Sequence, residues 1–127
     1  MSEPTDRFRS GMATRRAVLG DSYVNGAETA TTAFDTDFQT FITEGAWGSV
    51  WSRPGLSRRE RSLITIALLA AAGHDEEVAM HVKATSNTGA SADDIKEALL
   101  HVAVYAGVPA ANRAFKIAKR ELEKRGA

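Results

Sequence analysis

The apolar positions of the chain recur at helical spacing almost throughout, and they predict about six helices. The first covers roughly residues 6–19 and stops at Gly20, a glycine where helices commonly end. The second is expected over about 32–44. There Phe34, Phe38, Phe41 and Ile42 recur at i, i+4, i+7 and i+8 and predict a buried stripe. Gly45 and Gly48 are expected to break the pattern around Trp47 and Trp51. The Arg53-Pro54-Gly55 turn restarts the chain, and Ser57 and Glu60 stand at the spacing of a capping box. The helix that follows, to about Ala72, is apolar nearly all round, with Leu63, Ile64, Ile66, Leu68 and Leu69 pointing in every direction. This predicts a central helix buried on several sides.

A further helix should start near Asp75 and stop at Gly89. Ser91 and Asp94 then mark the start of another, which carries Ile95, Ala98, Leu99, Val102 and Ala106 on one face and ends at Gly107. Pro109 suits the first turn of a last helix that becomes strongly charged towards Lys124. No segment alternates with a period of two between hairpin turns, so the fold class is all-α. The 127 residues are the size of one domain, 1–127. Several of the helices are too apolar to face water, and burial against a second copy is the expected solution, a symmetric homo-oligomer.

Composition narrows the chemistry. Sixteen basic and sixteen acidic residues cancel. This argues against nucleic acid as a partner but says little about a small acidic ligand. The absence of cysteine excludes thiol nucleophiles, disulfides and thiolate metal sites. The N-terminus is polar and acidic rather than signal-like, and the longest apolar run, 63–73, is too short to cross a bilayer. A cytoplasmic location is expected, with no membrane partner.

Three histidines remain. Glu77 and His81 are four apart on one helix, so their side chains share a face. A carboxylate there can orient the imidazole and raise its pKa, as a proton donor needs; the same spacing also suits an ordinary exposed pair. Glu97, His101 and Tyr105 form a second line at the shoulder of an apolar face, equally consistent with a half-buried interface histidine. His74, Asp75, Glu76, Glu77 and His81 resemble a metal cluster, but they do not follow the His-Glu-x-x-His pattern and lack a third ligand, so no metal is expected. Eight arginines lie in the first half: Arg7, Arg9, Arg15, Arg16, Arg53, Arg58, Arg59 and Arg61. Arg16 and Arg61 adjoin apolar runs and are the candidates for gripping a carboxylate.

Gly11-x4-Arg16, Trp47-Gly48-x2-Trp51-x-Arg53-Pro54-Gly55-Leu56, Arg61-Ser62-Leu63, Glu77-x3-His81 and the run from Leu99 to Ala111 resemble the carboxymuconolactone decarboxylase family over nearly the whole chain. The resemblance implies the all-helical fold shared with alkylhydroperoxidase D, built from intertwined dimers, typically a hexamer. It implies cofactor-independent decarboxylation of 4-carboxymuconolactone to the β-ketoadipate enol-lactone, in bacterial protocatechuate breakdown. On that reaction His81, held by Glu77, would be the proton donor or oxyanion partner, and Arg16 and Arg61 would hold carboxylates or the developing oxyanion. Trp47 would wall the leaving group, and His101 and Tyr105 would line the pocket. The thiol-using branch carries Cys-x2-Cys-x3-His, which falls here on His74, Glu77 and His81, so peroxidase chemistry is not implied. Thr85-Ser86-Asn87-Thr88 is more polar than the family's usual wording. Alternatives are a relative acting on another lactone acid and a non-catalytic oligomeric binding protein.

Overall fold

The computed structural model describes residues 3–126, and among them it contains seven α-helices, one π-helix and no strand. The helices are α1 (Asp6–Leu19), α2 (Asp21–Ala30), α3 (Thr36–Ile42), the π-helix (Thr43–Trp51), α4 (Arg58–Ala72), α5 (Asp75–Thr88), α6 (Ala92–Tyr105) and α7 (Val108–Lys124). The chain divides into two compact units at the Leu56–Ser57 junction.

In the first unit α1 packs on the π-helix and on α2. The approach of α1 to the π-helix is close enough to require glycine twice. A Cβ at Gly11 would fall on the Thr43 carbonyl oxygen, and a Cβ at Gly48 would lie 2.5 Å from the Arg7 carbonyl oxygen. Gly45 and Gly48 therefore do not break the chain as expected. The helix of α3 continues through them as a π-helix, with Ser49 and Ser52 hydroxyls bonded to the carbonyls of Glu44 and Trp47 five residues back, at 3.0 and 2.7 Å. Such turns are rare and concentrate at functional sites. The helix α2 has no counterpart in the apolar spacing. The stretch forming α2 has one buried apolar residue, Val24, and is held instead by side-chain bonds from Arg16. The residues before α3 form a turn closed by Asp35, whose carboxylate accepts from the Thr32 amide at 2.8 Å, so α3 starts four residues later than the apolar spacing suggested.

The phenylalanine stripe of α3 is not buried within the chain. Phe34 is 97 % exposed, and Phe38 and Phe41 are exposed too. The periodicity marks an apolar face, but it is not the buried stripe expected, since the described residues leave it largely uncovered.

In the second unit α4 to α7 pack against one another around Ile66, Ala70, Val78, Val82, Ile95, Leu99, Val102, Ala111, Ala114 and Ala118. Each fully buried Ile or Leu of this set contributes about 1.5–3 kcal/mol relative to exposure. The capping boxes at Ser57/Glu60 and Ser91/Asp94 both form, and Gly73 and Gly89 end their helices at left-handed φ of 79° and 89°. The helix α4 is not buried on several sides. Ser62, Ile66 and Ala70 face the core, whereas Ile64 and Leu68 on the other side are exposed. Of the polar run Thr85–Thr88, the two threonines are absorbed by packing, while Ser86 and Asn87 are exposed: Thr88 and Ser62 hydroxyls meet at 2.7 Å, and Thr85 accepts from Arg125 at 2.8 Å. No helix among the described residues is long and apolar enough to cross a membrane.

Candidate active site

On α5 the buried positions Val78, His81, Val82 and Thr85 recur at i, i+3, i+4 and i+7, the inward face of the helix. His81 belongs to this face and is 6 % exposed. Glu77 lies one position round and faces solvent. This separation reverses the expected electrostatics. The sequence suggested that a neighbouring carboxylate raises the His81 pKa, but burial dominates and lowers it from 6.5 to about 4. At neutral pH the imidazole is uncharged. It can donate or accept a hydrogen bond, and it becomes an acid only when a bound anion restores its proton.

Arg61 lies half-buried in the first turn of α4, and α4 and α5 pack directly against each other in the same unit. His101 and Tyr105, one turn apart at the end of α6, have their rings stacked at 6.4 Å with an interplanar angle of 12°. Both are exposed in this chain, Tyr105 at 86 %, where the sequence predicts a half-buried histidine. The end of α6 projects them beyond the four-helix core. A groove of about 520 Å³ runs between α6 and α7 over Ile95, Leu99 and Phe115, and a smaller one of about 260 Å³ lies beside Gly73 and Pro109. Neither is lined by His81, Arg61, His101 or Tyr105.

In the first unit Trp47 and Trp51 are buried with Thr43 on one face of the π-helix, their rings 5.1 Å apart. Arg16 is not a free guanidinium. It donates to Asp21 at 3.1 Å, to Asn25 at 2.9 Å and to Glu28 at 3.1 Å, which fastens α2 to α1. The carboxylates expected from a substrate are supplied by the chain itself, and the Asp21 bond foremost raises the Arg16 pKa. The buried arginine is its neighbour. Arg15 is 6 % exposed, and its Nη1 donates to Gln39 Oε1 at 3.1 Å and Thr43 Oγ1 at 3.4 Å. Gly11, Thr14, Arg15 and Val18 are the buried positions of α1, at i, i+3, i+4 and i+7. That spacing, small residues included, is visible in the sequence and marks Arg15 rather than Arg16 as the buried arginine of α1.

Among the described residues no three His, Asp or Glu side chains gather as metal ligands would.

A sequence model of the carboxymuconolactone decarboxylase family matches residues 36–120. The chain is 45 % identical over 120 residues to a 4-carboxymuconolactone decarboxylase of Acinetobacter baylyi, covering 94 % of this chain and 90 % of that one. It is 39 % identical over 115 residues to the nitrosuccinic acid decarboxylase npaB of Metarhizium robertsii, covering 91 % and 80 %.

Proposed function

The chain belongs to the carboxymuconolactone decarboxylase family, and from that premise we propose that it is a carboxy-lyase converting 4-carboxymuconolactone to the β-ketoadipate enol-lactone and CO2. The observation that carries the reading is the 45 % identity across nearly the full length of both chains. The buried His81 supplies a group suited to the chemistry.

The departing carboxylate sits on the lactone carbon γ to the ring carbonyl, with a C=C between them. As its C–C bond breaks, the electron pair moves through the alkene onto the carbonyl oxygen and gives a dienolate. A proton from solvent then ends on the carbon α to the carbonyl, so that one CO2 leaves for one proton gained. The electron sink is within the substrate, and the reaction calls for no cofactor. The protein has only to stabilise the oxyanion and deliver the proton. A neutral His81 serves the first task as an N–H donor aimed at the developing oxyanion, an interaction typically worth about 3–4 kcal/mol. The charge that develops beside it raises its pKa, and the imidazolium so formed delivers the proton. Glu77, at the solvent edge of the same helix, is placed to pass protons towards it, and Arg61 is the proposed cation for the oxyanion or a carboxylate. His101 and Tyr105 keep a place in the proposal only where another subunit covers the end of α6.

The exposed Phe34 before α3, Phe38 and Phe41 on α3, and Ile64 and Leu68 on α4 support a homo-oligomer, read as a hexamer of paired chains. A cytoplasmic enzyme of protocatechuate catabolism is the corresponding setting.

The second relative favours one other substrate. In nitrosuccinate the nitro group takes the electron pair as the lactone does, so the same protein groups would serve. Incubating the purified protein with each acid and measuring CO2 release separates the readings. Release from the lactone at a much higher kcat/KM is expected, and release from neither would remove both.

A further inference from the structure

We infer that the acidic, phenylalanine-lined face of α3 docks into the groove between α6 and α7 of a second copy of the chain. The inference rests on the homo-oligomer reading above and names a contact behind it. Each of the two surfaces lies within one compact unit, α3 in the first and the groove in the second.

From Ala17 to Ser52 the chain has no lysine, arginine or histidine, while Asp21, Glu28, Asp35, Asp37 and Glu44 fall within that stretch. Phe34, in the turn before α3, and Phe38 and Phe41, on the helix, are 97, 58 and 71 % exposed. Their i, i+4, i+7 spacing is that of the anchors an amphipathic helix lays into a groove. Asp37 stands four residues before Phe41 and so borders the stripe. It is exposed, and its carboxylate is in no ion pair among the described residues.

The groove has the opposite charge and the same apolar character. The small side chains of Ala92 and Ala118 leave its space of about 520 Å³ open between α6 and α7, over Leu99, Phe115 and Leu122. On the rim Asp93 is paired with Lys96 at 3.4 Å. Lys116 and Lys119, three apart on α7, are in no ion pair among the described residues. Glu123 lies about two turns beyond Lys116, at the end of the helix. A chain with sixteen basic and sixteen acidic residues thus keeps one acidic apolar surface apart from one basic apolar surface. Opposite patches of this kind are what specific contacts join, and a second copy supplies both in equal number.

The areas agree. At about 150–250 Å² for a buried phenylalanine, the exposed parts of these three bring on the order of 400 Å² into the contact. The groove covers a like area. A reciprocal pair makes the contact twice, so each copy buries on the order of 800 Å², the size of a standard specific interface. A reciprocal pair also closes, with no stripe or groove left over.

Charge reversal followed by sedimentation of the full-length protein tests the contact. One variant carries Asp37→Lys and the other Lys116→Glu with Lys119→Glu, all at exposed positions. Each variant alone is expected to weaken self-association about tenfold or more and to sediment as a smaller species, with helical content by circular dichroism kept. Mixed in equal amounts, the two should regain the parent's mass. The altered α3 of one then meets the altered groove of the other, and the two unaltered surfaces meet each other. A mixture that regains nothing, as expected of a contact made within one chain, overturns the inference. An oligomeric parent whose mass neither variant changes overturns it too and leaves the homo-oligomer reading standing. A monomeric parent removes that reading and this contact with it.

Discussion

Arg59 and Asp94 join the first turns of α4 and α6 through a two-pronged ion pair, with the same carboxylate also accepting from the Ser91 amide at 2.9 Å to close a capping box. Arg59 foremost, then the Ser91 amide, holds the Asp94 carboxyl well below the usual carboxylate range. A depressed acid stabilises the fold above its unfolded pKa, and that contribution is lost as pH falls through the folded value. Asp94→Asn is therefore expected to lower the melting temperature at pH 7, with the difference from the parent shrinking below about pH 4. Melting curves across pH check it, and a difference independent of pH would refute the assignment.

His81 has the opposite kind of shift. Its folded pKa of about 4 lies below the ordinary 6.5, so between these values the unfolded chain binds a proton that the folded chain does not. Stability should fall as pH drops from about 6.5 to 4, by an amount on the order of 3 kcal/mol. His81→Gln should flatten that slope. In turnover, kcat/KM of the parent should stay level from about pH 5 to 8 and decline below, because the neutral imidazole is the working form of the free enzyme. His81→Ala should lower kcat by about 10²-fold or more with the oligomer intact. A loss of only a few-fold would take His81 out of the chemistry.

Gly11 is where α1 meets the backbone of the π-helix, with no room for a methyl group. Gly11→Ala should destabilise the protein by about 1–3 kcal/mol, as overpacking does, although alanine is the better helix former. Gly26, with open space around it, serves as the control: Gly26→Ala should be neutral or stabilising in the same denaturation experiment.

Arg16 holds α2 through Asp21, Asn25 and Glu28. Arg16→Ala should speed amide exchange across Asp21–Ala30 while changing KM for the lactone by no more than a few-fold. A tenfold rise in KM with unaltered exchange would return Arg16 to substrate binding.

Leu68 stands exposed on the outer face of α4. Leu68→Glu should lower the sedimenting mass of the protein if that face is covered by a second copy, while helical content by circular dichroism is kept. An unchanged mass would show that α4 is not at the interface.

Most of the helix boundaries could be read from residues a few positions apart. The stops at Gly20, Gly73 and Gly89 and the capping boxes at Ser57 and Ser91 depend on local backbone geometry, which neighbouring residues decide. The inward place of His81 on α5 follows equally from its spacing with Val78, Val82 and Thr85. What escaped was set by contacts outside each element's own apolar spacing. The helix α2 depends on an arginine from α1, and the chain passes Gly45 and Gly48 as a π-helix, Gly48 lying against the Arg7 backbone of α1.

The candidate chemistry divides in the same way. The lack of cysteine, the Glu77–His81 spacing and the family resemblance were determined by the sequence alone. The charge of His81 was not, because a pKa depends on how much water the surrounding helices remove, and here burial lowers it. Nor was the different burial of Arg15 and Arg16. Adjacent residues of a helix point about 100° apart, so one is enclosed by Gln39 and Thr43 and the other is spent on α2. Only the tertiary structure decides which guanidinium is enclosed and which is bonded to carboxylates of the chain.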